Sequence, residues 1–145
     1  MKTLLSTLAV SAIFSTAALA GPTVTVNFKN QSTADATYKI VTSNETSTNA
    51  NASPKPKTTV KKSMTDTYYV TSTISPDVGY ANVRYKVGTK ECVFSTTFSN
   101  ILQSGGYKLP KWTKTANASG GAVCTATITA QNLSTYAWTV DFVMK

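Results

Sequence analysis

From Thr23 onward, nearly every patterned stretch of this chain alternates apolar with polar residues at period two, and none carries the 3.6-residue stripe of an amphipathic helix. Thr, Val and Tyr, which suit a pleated, half-buried surface, dominate these stretches. Strands with one apolar face must bury that face against another sheet, so the expected fold is all-β: an antiparallel two-sheet β-sandwich, or a β-barrel as the alternative. At 145 residues the chain is long enough for one such core and too short for two.

The first twenty residues read as an export signal. Met1 and Lys2 are followed by an apolar stretch from Leu4 to about Ala17, and Ala18-Leu19-Ala20 is a small-x-small cleavage site before Gly21. The expectation is a signal peptide over 1–20 and a single secreted or periplasmic domain over 21–145. Export permits disulfides, and the two cysteines, Cys92 and Cys124, are expected to pair.

Within the mature region Val24, Val26 and Phe28 share a face, and Tyr38 with Ile40 repeats the pattern as a neighbouring strand. Residues 43–57 contain no apolar side chain larger than Ala and include Pro54 and Pro56, so they read as a flexible loop. Tyr68, Val70 and Ile74 mark a further strand, ended by a turn at Ser75-Pro76-Asp77.

Gly88-Thr89 suits a two-residue type II′ hairpin turn. That turn sets Lys86 opposite Glu91, Tyr85 opposite Cys92 and Val83 opposite Phe94, so charge and apolar pairing agree with it. Residues Cys124, Ala126, Ile128 and Ala130 share one face of a later strand. Tyr136, Trp138, Val140, Phe142 and Met144 do so in the last.

The short segment Val24-Thr25-Val26-Asn27-Phe28-Lys29-Asn30-Gln31-Ser32 resembles the first strand and turn of many secreted sandwiches, aegerolysin-like and actinoporin-like proteins among them. No residue role is carried over from it.

Chemistry is bounded chiefly by what is missing. The chain has no histidine, which removes the commonest general base, and two cysteines alone cannot close a zinc site. The acids Asp35, Glu45, Asp66, Asp77, Glu91 and Asp141 form no pair spaced for glycoside hydrolysis. Neither an enzyme, a cofactor nor a metal is therefore expected.

Charge points to binding instead. With 14 Lys+Arg against 6 Asp+Glu, loss of Lys2 with the signal leaves a net charge of +7 (13 − 6). Such a chain is drawn to anionic envelopes, membranes and polysaccharides. The segment from Gly105 to Lys114 interleaves Tyr107, Lys108, Lys111, Trp112 and Lys114 in a glycine-hinged loop, the expected ligand-binding site. Lys55, Lys57, Lys61 and Lys62 form a second basic cluster, whose lysines also suit blocking of a sheet edge. Nucleic acid is not the expected partner, since Arg84 is the only arginine. The leading expectation is thus a secreted, non-catalytic protein that attaches to an anionic surface. Two alternatives stand beside it: a structural component that self-assembles in an extracellular matrix or appendage, and a secreted membrane-perturbing toxin. Five N-x-[ST] matches, at Asn30, Asn44, Asn51, Asn117 and Asn132, are open to glycosylation only in a eukaryotic source.

Overall fold

The computed structural model describes residues 20–145, so the expected signal peptide lies outside the described residues except for Ala20. Along the chain come β1 (Thr23–Asn30), β2 (Ala36–Lys39), α1 (Ser43–Asn51), β3 (Ala52–Ser53), β4 (Thr59–Val60), β5 (Thr65–Thr71), β6 (Val78–Val87), β7 (Lys90–Leu102), β8 (Lys108–Ser119), β9 (Cys124–Gln131) and β10 (Trp138–Met144). They form two five-stranded sheets. Sheet A has the order β3-β5-β1-β10-β9 and sheet B the order β4-β2-β6-β7-β8. The architecture is a sandwich, not a closed barrel. All ladders are antiparallel except β1 with β10, which run parallel at the middle of sheet A.

The core lies between the sheets, where alternation sends Val24, Val26 and Phe28 inward from β1 and Trp138, Val140, Phe142 and Met144 from β10. Val83 and Tyr85 of β6 and Cys92, Phe94 and Phe98 of β7 meet them from sheet B. Phe28 stacks on Tyr85 and Phe94 on Phe142 across the gap. Polar links are also buried there: the Trp138 indole donates to Thr96 Oγ1 at 2.9 Å, and the Tyr68 and Tyr85 hydroxyls meet at 3.1 Å. Cys92 and Cys124 form a disulfide that ties β7 in one sheet to β9 in the other.

The β6–β7 hairpin has the expected register: Lys86 faces Glu91, Tyr85 faces Cys92 and Val83 faces Phe94. Gly88 takes the positive φ, +58°, that the first position of a II′ turn needs.

Other expectations need correction. The strand with Tyr38 does not pair with β1: it crosses to sheet B, and Ile40 lies beyond its end, exposed. Ile74 is likewise exposed past the end of β5, because Ser72 is the last inward residue before the turn. Ala130 turns away from the face of Cys124. A bulge at Thr139/Val140 pairs Val140 with Ile128 but Thr139 with Ala130, so Thr129 is the extra residue and parity flips after it.

The largest difference concerns residues 43–57, expected as a loop. Ser43–Asn51 is a helix although its only apolar residue is Ala50. A capping box starts it: Thr42 Oγ1 accepts from the Glu45 amide, and the Glu45 carboxylate accepts from the Thr42 and Val41 amides. Lys55 ends it by donating to the Asn49 and Ala50 carbonyls. Polar anchors take the place of an apolar face. Glu45 bonds Arg84, Ser47 bonds Tyr80, and Thr48 accepts from the Asn82 amide. The first half of β6 has no partner strand on the β2 side, since that ladder covers only Arg84 to Lys86. The helix therefore satisfies and covers an edge that would otherwise stay open.

Candidate anion-binding face

The site expected between Tyr107 and Lys114 is not a loop. Gly105 and Gly106, both at positive φ, close a tight turn in which Gly106 N donates to Gln103 O and Gln103 N to Tyr107 O. From Lys108 the chain is the edge strand β8, paired with β7 along its whole length. Pro110 is tolerated because its nitrogen needs no ladder partner on the free side of an edge strand. Lysines spaced three apart, at 108, 111 and 114, fall on both faces of the strand and hid its alternation in the sequence.

That geometry separates the five residues. Trp112 faces Phe98 of β7, so Trp112, Lys108 and Lys114 share one side of β8 and Lys111 lies on the other. Trp112 is half-buried against Phe98 and Tyr136, and its indole donates to Tyr136 O at 3.2 Å. Lys108 is ion-paired with Asp77, which also accepts from Asn100. That pairing with Lys108, opposed by partial desolvation, holds the Asp77 carboxyl below its ordinary value. Tyr107, Lys111 and Lys114 remain exposed, Lys111 and Lys114 on opposite sides of β8.

The second cluster is better assembled. Lys57 and Lys61 line a cleft of about 220 Å³ with Thr59, Val60, Met64 and Thr65, where the β4 edge of sheet B meets the start of β5 in sheet A. Its lining combines apolar Val60 and Met64 with two threonines and two lysines. Tyr38 N donates to Thr58 O, which continues the pairing of β2 with the segment before β4, and Lys39 is the next residue of β2. Lys62 follows, its amide held by Asp35. Lys55 is turned away to cap α1. Lys57 lies 3.8 Å from the buried Asp66, a loose contact that leaves its ammonium mostly in solvent.

Sequence reasoning missed how thoroughly the acids are used elsewhere. Asp141 pairs with Lys29 and accepts from Asn27 on the outer face of sheet A. Arg84 bridges Glu45, at 3.0 Å, and Glu91, which Lys86 also approaches at 3.5 Å. Burial alone would raise the Glu45 carboxyl; the two amides at the helix start and Arg84 outweigh it and hold it low. Among the described residues every acid except Asp35 thus has a cationic partner, and Lys39, Lys55, Lys61, Lys62, Lys90, Lys111, Lys114 and Lys145 have no acidic one. The signal that could have revealed this is the T-x-x-E at Thr42–Glu45, which ties Glu45 to a helix and so to Arg84. Among the described residues no three of Cys, Asp and Glu gather where they could hold a metal ion. Comparison with protein families, curated proteins and solved structures finds no match to this chain.

Proposed function

We propose that this is a secreted, non-catalytic protein that attaches to an anionic cell-envelope, membrane or polysaccharide surface through the Lys57–Lys61 cleft with Lys39 and Lys62, and that Lys111 and Lys114 on β8 add long-range attraction. One observation carries the reading. Ion pairing inside the protein consumes nearly all of the negative charge, so the net charge is expressed as unpaired lysines; Lys61 lines the cleft, Lys62 follows it in sequence, and Lys57 beside them makes only the loose 3.8 Å contact with Asp66. The disulfide fits the oxidising compartment that such a role needs.

The test is co-sedimentation of the oxidised protein with anionic and neutral vesicles and with an acidic polysaccharide gel, at low and at physiological salt. Binding should be confined to the anionic matrices and weaken as salt rises. A Lys57, Lys61, Lys62→Gln variant should lose most of it, and a Lys111, Lys114→Gln variant only part. Equal binding to neutral vesicles would sink the proposal. A second reading rests on the long free edge of β8, 12 residues against two in β4. Self-assembly by strand pairing would sediment the protein without any vesicle and leave both lysine variants unchanged. Release of dye from loaded vesicles would instead favour the toxin reading.

A further inference from the structure

The bulge that flips Ala130 also opens the outer face of sheet A. Ala130 now lies beside Thr139, a methyl group where a larger outward side chain would fill the space. The result is an open cleft of about 470 Å³ lined by Thr25, Ala130, Gln131, Asn132, Ala137, Trp138 and Thr139. That volume falls within the usual range for small-molecule sites. Two further irregularities meet at its rim. Tyr136 takes a left-handed φ of +61°, unusual for an aromatic residue, and its carbonyl is held by the Trp112 indole. The next residue, Ala137, accepts from Asn132 N and fixes the other wall.

The lining has a definite chemistry. No ionisable side chain enters it, which disfavours phosphate or carboxylate ligands, and its apolar part is too small for an acyl chain. Trp138 contributes only at its strand position, since its ring is buried on the inner side against Phe98 and Thr96. The polar side chains on the outward parity are the hydroxyls of Thr25 and Thr139, and the Asn132 carboxamide follows at the strand's end; Gln131, paired with Trp138, lies on the other parity. Each of these side chains offers both donors and acceptors. Asn132 Oδ1 is committed to the Ser134 and Thr135 amides, so its NH₂ is left to donate. Among the described residues the Thr25 and Thr139 side chains make no hydrogen bond to the protein. An aromatic face stands next to them. Tyr69, 49% exposed, is opposite Thr25, which is opposite Thr139, so ring, hydroxyl and hydroxyl lie in one row across β5, β1 and β10.

Vicinal hydroxyls on one edge and a C–H face on the other are the features of a pyranose that such a row would match. We propose that this cleft is a subsite for a neutral sugar, with Asn132 and the two threonines bonding ring hydroxyls and Tyr69 covering the apolar face. It lies on the sheet opposite the Lys57–Lys61 cleft's edge strand and does not depend on the anionic-surface reading.

The experiment is an amide-shift titration by NMR of the oxidised, isotope-labelled protein. The probes are methyl glucoside, methyl galactoside, methyl mannoside, N-acetylglucosamine and glucuronate, each to on the order of 50 mM, the range in which single-sugar sites saturate. At least one neutral sugar should give saturable shifts centred on Thr25, Gln131, Asn132 and Thr139, independent of salt. Thr25→Val and Tyr69→Ala should each weaken that binding by about tenfold while the rest of the spectrum is retained. Three results would each overturn the proposal: no neutral sugar shifting these amides, shifts that ignore both substitutions, or a response to glucuronate alone that maps to Lys57 and Lys61. The last would still leave the anionic-surface reading standing.

Discussion

Tyr38 buries a hydroxyl that finds no hydrogen-bond partner among the described residues. An unsatisfied buried hydroxyl costs about 1–3 kcal/mol, so Tyr38→Phe should raise stability by about 1 kcal/mol, read as a higher urea midpoint at unchanged slope. Burial, and secondarily Glu45, pushes the Tyr38 phenol up to about 12; burial raises Tyr68 and Tyr85 too. Folded values above the unfolded one near 10 mean that stabilisation is complete below pH 10 and is lost as pH climbs beyond it. Denaturant melts at stepped pH should show this alkaline loss, and Tyr38→Phe should reduce it. Gly120 is the clearest backbone requirement: its φ is +61°, and a Cβ there would sit 1.9 Å from Thr89 O. Gly120→Ala should cost well over the roughly 1 kcal/mol of an ordinary glycine replacement, seen as a lower melting midpoint. At this scale the sequence was legible wherever parity decided the outcome, as for Tyr85 and Cys92. The ion pairs of Asp77 and Asp141 were not, since their partners lie 31 and 112 residues away.

Among the elements, the β6–β7 hairpin could be read because its turn, charges and apolar pairs are all local and agree. Helix α1 could not be read from periodicity, because polar anchors rather than an apolar stripe hold it. The T-x-x-E pattern at Thr42–Glu45 is a local start signal that a reading by composition alone passes over. Thr42→Ala should cost about 1 kcal/mol. Glu45→Ala should cost more, since it also removes a buried partner of Arg84. Because the folded Glu45 carboxyl lies below its ordinary value, its contribution is present above about pH 4.5 and is lost as pH falls through the folded value. Far-UV circular dichroism below that pH should report loss of helix before the sheets melt, and Glu45→Gln should start from the weakened state and flatten the acid limb. The bulge in β9 was also hidden: alternation through Thr125 to Ala130 continues unbroken in the sequence, and only the partner strand reveals where parity changes.

For the whole molecule, the class of fold and its cross-link followed from alternation and cysteine count, whereas strand order did not, because similar alternating strands compete for the same neighbours. The disulfide joins residues 32 apart in different sheets, so reduction, or replacement of Cys92 and Cys124 together by Ala, should cost roughly 3–4 kcal/mol by chain entropy. A urea midpoint compared between oxidised and reduced protein measures it. The parallel pairing of β1 with β10 sets a different kind of constraint, one of timing. Asn27 and Asp141, bonded side by side, are 114 residues apart, so the first strand to leave a ribosome or a translocation pore has no native neighbour on that side until nearly the last residues follow. Contacts this distant form late and slowly. For the exported chain proposed above, that delay would leave sheet A incomplete, and its first strand unpaired on one side, until the final strand has emerged.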